Sequence, residues 1–394
     1  MVGVGVGAWL LFIKPVNVVI NGNEYVEVDG DRDIARALEV SNVNTIPGDY
    51  VAVDGTVLEK NKGETFAAEV NGVRTTDINR RLRDGDQINI VKADNKVEDY
   101  TSYEVKTPFT VSLKGTGPIH EVQGNAAEGI TVVKTGKVSG AVAKEQTQEV
   151  SDIVLDEHYA ETGNDKVIAL TFDDGPTEAY TPQVLDILEA NDVHATFFTI
   201  GNQIKGNEKI VKRAYQDGNQ ICTHSYTHGK GLTESGDGLD LNSLSAEEQH
   251  KEIEYGLKAI EDATGETASR IMRAPGGSFS LTILKNIADL NIRGEIGWTV
   301  DTEDWQLPSV NTLIKSFESA TSGDIILCHD GGGDRTNTIE ALKTAIPYLK
   351  KQGYKFVTID ERMQYPATQG YSVSGSNLNS GSAYAGSSKY GSGY

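Results

Sequence analysis

From Lys166 to about Met363, short apolar runs alternate with stretches whose apolar residues recur every three or four positions. The runs, bounded by glycine, proline and polar clusters, predict buried parallel strands, and the periodic stretches predict the helices between them. The predicted strands cover 167–172, 195–200, 220–223, 270–273, 294–300, 325–328 and 355–359. Pro182 stands near the start of a helical stretch with Val184, Leu185 and Leu188, where a first-turn proline is at home. Ser245-Ala246-Glu247-Glu248 reads as a capping box opening a helix that runs toward Thr264, and 339–349 predicts another. About seven strand–helix units result. The expected fold class is α/β, a distorted (β/α)7-type barrel spanning 166–363, with an open doubly wound sheet as the alternative.

The front of the chain follows a different rhythm. Over 16–98, two apolar runs flank Asn21-Gly22-Asn23, a short helical stretch follows from Asp33, and further strands surround Asn71-Gly72 and Asp84-Gly85. Hairpin, helix, then strands is similar to a β-grasp (ubiquitin-like) domain. Alternating runs punctuated by glycine over 99–150 predict a small β-rich module, whose His120 is expected at the surface. The polar stretch 151–165 predicts a linker. The Gly-, Ser- and Tyr-rich stretch 364–394 has no core-forming period and predicts disorder. Residues 1–15 are apolar up to Lys14-Pro15, too short for the ~20 residues that span a bilayer. They predict the remnant of a signal or membrane-anchor segment, a membrane tether, with a buried first strand as the alternative.

Composition narrows the partners. The 394 residues suffice for two or three domains. A net charge of −21 argues against nucleic acid and against an anionic membrane surface, since both need clustered Lys and Arg. A neutral, cationic or metal-bridged ligand is compatible, and no obligate protein partner is indicated. Cys222 and Cys328 are the only cysteines, so there is no disulfide framework.

Polar clusters fall where the predicted strands end. Asp173-Asp174-Gly175-Pro176 follows the first strand, His224-Ser225-Tyr226-Thr227-His228 the third, and Arg273-Ala274-Pro275-Gly276 the fourth. Asp301-Thr302-Glu303-Asp304-Trp305 follows the fifth and His329-Asp330 the sixth. In β/α barrels the C-terminal strand ends carry the active site. Two histidines four apart with a carboxylate from another strand end make the His, His, carboxylate set of an open catalytic zinc site. Cys222, two residues before His224, offers a rival thiolate ligand. Adjacent carboxylates on an extended strand are expected to point apart, one toward an ion and one free to act as a base.

Together these clusters resemble the five motifs, in order, of the NodB-homology polysaccharide deacetylases, carbohydrate esterase family 4, over about half the chain. The resemblance implies metal-dependent removal of acetyl groups from polymeric sugars. It implies Asp174, His224 and His228 as metal ligands, Asp173 as general base and His329 as general acid. Arg273 would support Asp173 and Asp304 would support His329. Trp305 and Leu327 would wall the acetyl pocket, and the N–H after Pro275, that of Gly276, would face the oxyanion. Many relatives carry an aromatic residue where this chain has Gly276, which bears on substrate fit. The expected cofactor is a divalent metal, Zn2+ first, with Co2+ or another ion as the alternative. The expected substrate is an N-acetylated polysaccharide of peptidoglycan or chitin type, and the expected location is extracytoplasmic, secreted or anchored at a bacterial surface. Chitooligosaccharide or acetylxylan deacetylation is the alternative within the class, and a non-catalytic wall-binding protein the alternative outside it.

Overall fold

The computed structural model describes residues 14–369 apart from 235, 237 and 239. The expected anchor remnant lies outside the described residues up to position 13, as does the tail from 370. No helix among the described residues is long and apolar enough to cross a membrane.

The chain forms two compact units. In the first, strand Val16–Ile20 pairs antiparallel with Glu24–Val28 and parallel with Gln87–Val91. Ala67–Val70 pairs with Gln87–Val91 and closes a hairpin with Val73–Thr75. Helix Ile34–Ser41 starts where the Asp33 side chain accepts the Arg36 N–H. It buries Ile34, Ala37 and Leu38 against Val18, Val28 and Ile88. This is the β-grasp-like arrangement expected of 16–98. The same unit contains a three-stranded antiparallel sheet of Tyr100–Thr107, Gly129–Gly136 and Val142–Gln148.

The second unit is built on parallel strands in the spatial order Gly294–Ile296, Ile271–Met272, Gln220–Thr223, Thr196–Thr199, Val167–Asp173, Ile325–His329, Val300–Asp301. Lys355–Phe356 pairs beside Val167–Asp173 as well. The two strands at opposite ends of this row are separated by only three residues, 297–299. So short a connection reaches no more than about 14 Å, so the sheet has to curl round toward closure. The fold is a distorted (β/α) barrel, and its ring is completed by curling rather than by an unbroken ladder.

Side-chain parity then fixes what points where. Ile168, Leu170 and Phe172 pack outward on helical residues such as Val184, Leu185 and Leu342. Ala169, Phe198, Cys222, Ile271, Ile296 and Ile325 form a second, inner cluster. Counting on by twos from that inner set gives Asp173, His224, Arg273 and His329. The chemistry is therefore the inward-facing continuation of the barrel's own core.

Several expected boundaries move. The stretch 151–165 is no linker: Ile153–Ala160 is a strand in the barrel's sheet, with every position buried or half-buried. The stretch 99–150 is not one module, because Val111–Gly115 and Ile119–Gln123 leave it to pair with Ile153–Ala160. Ile119–Gln123 also pairs antiparallel with Gly294–Ile296, covering a strand that would otherwise be an edge. His120 is consequently buried, at 8% exposure, rather than a surface residue. Within 364–394, Ala367–Thr368 pairs with Tyr159–Ala160. The single strand expected over 294–300 is two, broken at the corner. That expected over 355–359 ends at Phe356, since Thr358 caps a short helix, Ile359–Arg362, with both bonds of a capping box.

Candidate active site

The first catalytic strand ends on Asp173, and Asp174 follows with φ 71°. This left-handed residue breaks the alternation of an extended chain, so the two carboxylates converge instead of diverging. Oδ2 of Asp173 and Oδ1 of Asp174 lie 3.7 and 3.5 Å from Nε2 of His224. Nε2 of His228 lies 3.2 Å from the same Oδ1 of Asp174. One ligand atom from each of Asp174, His224 and His228 fits within 4.8 Å of the others. Oδ1 of Asp174 is buried and accepts no hydrogen bond, which leaves a lone pair aimed at the space the imidazoles face. The donor set and the orphaned oxygen fit a divalent cation.

Each imidazole is oriented by its other nitrogen. Nδ1 of His224 donates to the Arg273 carbonyl at 2.9 Å, and Nδ1 of His228 donates to the Gly238 carbonyl. That leaves both Nε2 atoms free toward Asp174, the second-shell arrangement typical of metal-bound histidine. The loop between them is strained at Ser225 and His228, with φ 66° and 63°. Glu252, on helix Ala246–Thr264, holds it: the carboxylate accepts the N–H groups of Tyr226 and Thr227 at 3.0 and 2.8 Å and the Thr227 hydroxyl at 2.6 Å. Burial lowers the His224 pKa. Burial works against ionisation of Asp174, but the close approach and charge of His228, with the charge of His224, hold its carboxyl well below the usual range.

Arg273 is completely buried, yet every side of its guanidinium is matched. Nη1 donates to Oδ1 of Asp173 at 2.7 Å and to the Thr171 hydroxyl at 2.8 Å. Nε and Nη2 donate to the carbonyls of Ile296 and Gly297 at 2.8 and 3.0 Å. The plane stacks on Phe198, with Cζ 4.2 Å from the ring centre.

On the other side of the cluster, Oδ1 of Asp304 lies 2.6 Å from Nδ1 of His329. Oδ2 of Asp304 accepts the His329 N–H and the Thr338 hydroxyl at 3.0 and 2.9 Å. Burial would lower the pKa of His329, but the hydrogen bond and charge of Asp304, with the charge of Asp174, raise it to about 9. Asp173 and His329 stand in register on neighbouring strands.

The remaining expected residues surround this core. Pro275, Gly276 and Gly277 form a tight turn one residue after Arg273, with Gly276 at φ 60° and exposed. Among the described residues the Gly276 N–H finds no protein acceptor, so it is free to donate outward. Leu327 is buried two residues before His329, and Trp305, just after Asp304, is 39% exposed. Cys222 is no ligand: it packs among Phe198, Ile271 and Ile296, and burial pushes its thiol up.

Four contributors were given no role by the sequence reading: Thr171, Glu252, Thr338 and Asp330. Asp330 is buried against Thr181, and burial pushes its carboxyl up to about 7. Asp330 carried a signal in its place beside His329, and Thr171 in its place two residues before Asp173. The others lie inside regular elements, where one polar residue does not stand out.

The sequence profile described as "Polysaccharide deacetylase" matches residues 160–294. A Bacillus cereus peptidoglycan-N-acetylglucosamine deacetylase is 38% identical over 204 residues, 51% of this chain and 90% of that protein. The Listeria monocytogenes peptidoglycan-N-acetylglucosamine deacetylase PgdA is 39% identical over 50% of this chain and 38% of its own length. A Bradyrhizobium chitooligosaccharide deacetylase is 31% identical over 50% and 91%. Among solved structures, the Bacillus subtilis peptidoglycan deacetylase PdaC is similar over 51% of this chain and 91% of its own, at 32% identity and TM-score 0.44. With five motifs assembled at one end of the barrel and the Bacillus cereus relative 38% identical over 90% of its length, the chain belongs to the NodB-homology polysaccharide deacetylases, carbohydrate esterase family 4, and is a polysaccharide N-deacetylase.

Proposed function

We propose that the chain removes the acetyl group from N-acetylglucosamine of peptidoglycan, acting at the bacterial surface outside the cytoplasm with Zn2+ as its ion. The carrying observation is the Asp174, His224, His228 cluster, flanked on one side by a carboxylate tied to an arginine and on the other by an imidazole tied to a carboxylate. The peptidoglycan assignment is supported by the activity for which the Bacillus cereus and Listeria relatives are named.

Asp174, His224 and His228 would hold the ion, which supplies Lewis acidity for the acetyl carbonyl and for water. Asp173 takes the proton of the attacking water. Arg273 fixes the orientation of Asp173 and sets a permanent positive charge against it. As the carbonyl oxygen gains charge, the exposed Gly276 N–H donates to it. An amine anion is a very poor leaving group, so His329, held protonated by Asp304, gives its proton to nitrogen as the C–N bond breaks. Leu327 and Trp305 form the wall for the acetyl methyl.

Amine and acetate release from peptidoglycan fragments, chitin oligomers and acetylated xylan, before and after chelation and Zn2+ repletion, tests the proposal. Fastest release from peptidoglycan, abolished by chelation, is expected. Preference for the xylan ester, or turnover that survives chelation, overturns it.

A further inference from the structure

A buried ion pair lies on the opposite face of the sheet from the reaction. Glu295 and His120 are register partners on adjacent antiparallel strands. Both are buried, at 2% and 8% exposure. Nδ1 of His120 is 2.6 Å from Oε2 of Glu295, an ion pair too oblique for a good hydrogen bond. Nε2 of His120 donates to the Gly117 carbonyl at 3.0 Å. Both ring nitrogens thus face acceptors, which suits an imidazolium. Burial opposes that charge, but Glu295, with Glu157 farther off, outweighs it and raises the His120 pKa.

The other oxygen of Glu295 reaches the site through one peptide group. Oε1 accepts the Ala274 N–H at 3.1 Å. The carbonyl of that same peptide, belonging to Arg273, accepts Nδ1–H of His224 at 2.9 Å. The peptide bond between Arg273 and Ala274 is therefore held at its N–H edge by a carboxylate and at its C=O edge by a candidate ligand imidazole. A hydrogen bond to an anion polarises a peptide and strengthens its carbonyl as an acceptor. A stronger acceptor at Nδ1–H fixes the imidazole and makes Nε2 a better donor to a cation.

We propose that Glu295, clamped by His120, is a positioning residue for the metal centre, acting on His224 through the Arg273–Ala274 peptide. The strand Ile119–Gln123, which precedes the matched region 160–294, is then part of the apparatus that tunes the ion. This inference rests on the metal reading of Asp174, His224 and His228.

The test is metal affinity of the full chain, measured by Zn2+ competition with a chromophoric chelator, together with the Co2+ absorption spectrum. Glu295→Ala is expected to loosen the ion about 10-fold or more and to shift the Co2+ bands, as loss of an outer-shell partner does. Glu295→Gln keeps an oxygen for the Ala274 N–H but loses the charge, so its affinity should fall between wild type and Glu295→Ala. A wild type that binds no ion overturns the metal reading itself. A metal-binding wild type whose Glu295 variants stay within about twofold of it, with unchanged Co2+ bands, overturns only the relay. If Glu295→Ala does not fold, the near-isosteric Glu295→Gln decides by the same twofold criterion.

Discussion

The two flanks of the ion cluster are both carboxylate–cation pairs, and they differ in one respect that sets their chemistry. On one flank the cation is Arg273, which no pH within the protein's range deprotonates. On the other it is His329, which titrates. In the first pair the carboxylate of Asp173 is the free chemical agent and its partner is fixed. In the second the carboxylate of Asp304 is the fixed member, fully buried and accepting three hydrogen bonds, and the imidazole moves the proton. Exchanging only the cation turns the same motif from a base into an acid.

The largest effect should come from Asp173→Asn, which removes the base while leaving an acceptor for Arg273. Amine release from N-acetylglucosamine oligomers should fall about 10³-fold with little change in melting temperature. Retained activity would dissolve the contrast between the flanks. Arg273→Ala removes the guanidinium paired with buried Asp173, so chemical denaturation should show a loss of about 3–5 kcal/mol. His329→Ala should cost about 10²-fold on an amide substrate and markedly less on an acetyl ester, whose leaving group needs less protonation.

The smallest and most diagnostic effect is on pH. His329 is raised from 6.5 to about 9, so the pair stabilises the fold fully below about 6.5 and loses that contribution as pH rises through 9. The alkaline limb of kcat/KM should sit near 9 in the wild type. In Asp304→Asn it should move down toward the ordinary histidine value, because burial then opposes only the charges of Asp174 and Asp173. A limb that stays put would show that His329 is not the titrating acid.

Much of this was legible in the sequence because strand-end position and residue type are local properties. Asp173, His224, Arg273 and His329 are marked by following apolar runs, and inward parity carries each strand's core pattern into the site. What was not legible depends on pairing between distant segments. Nothing near His120 announces Glu295, and a polar stretch over 151–165 looks the same whether it is a linker or a strand half-buried on one face. The expectation that Asp173 and Asp174 diverge failed for a local reason, the left-handed backbone at Asp174, which an Asp before Gly-Pro permits without advertising. Glu252 was hidden because a helix face that is mostly apolar gives no reason to single out one buried carboxylate.

The chain enters the barrel's sheet early, leaves it, and returns. Strand Ile119–Gln123 emerges from the ribosome well before Gly294–Ile296, its partner across the ladder. At ordinary elongation rates of roughly 5–20 residues per second, it waits on the order of ten seconds or more for that partner. Throughout that interval an unsatisfied ladder is available to a neighbouring nascent copy, so synthesis rate and chaperone supply, rather than the finished fold's stability, should govern the yield of soluble enzyme.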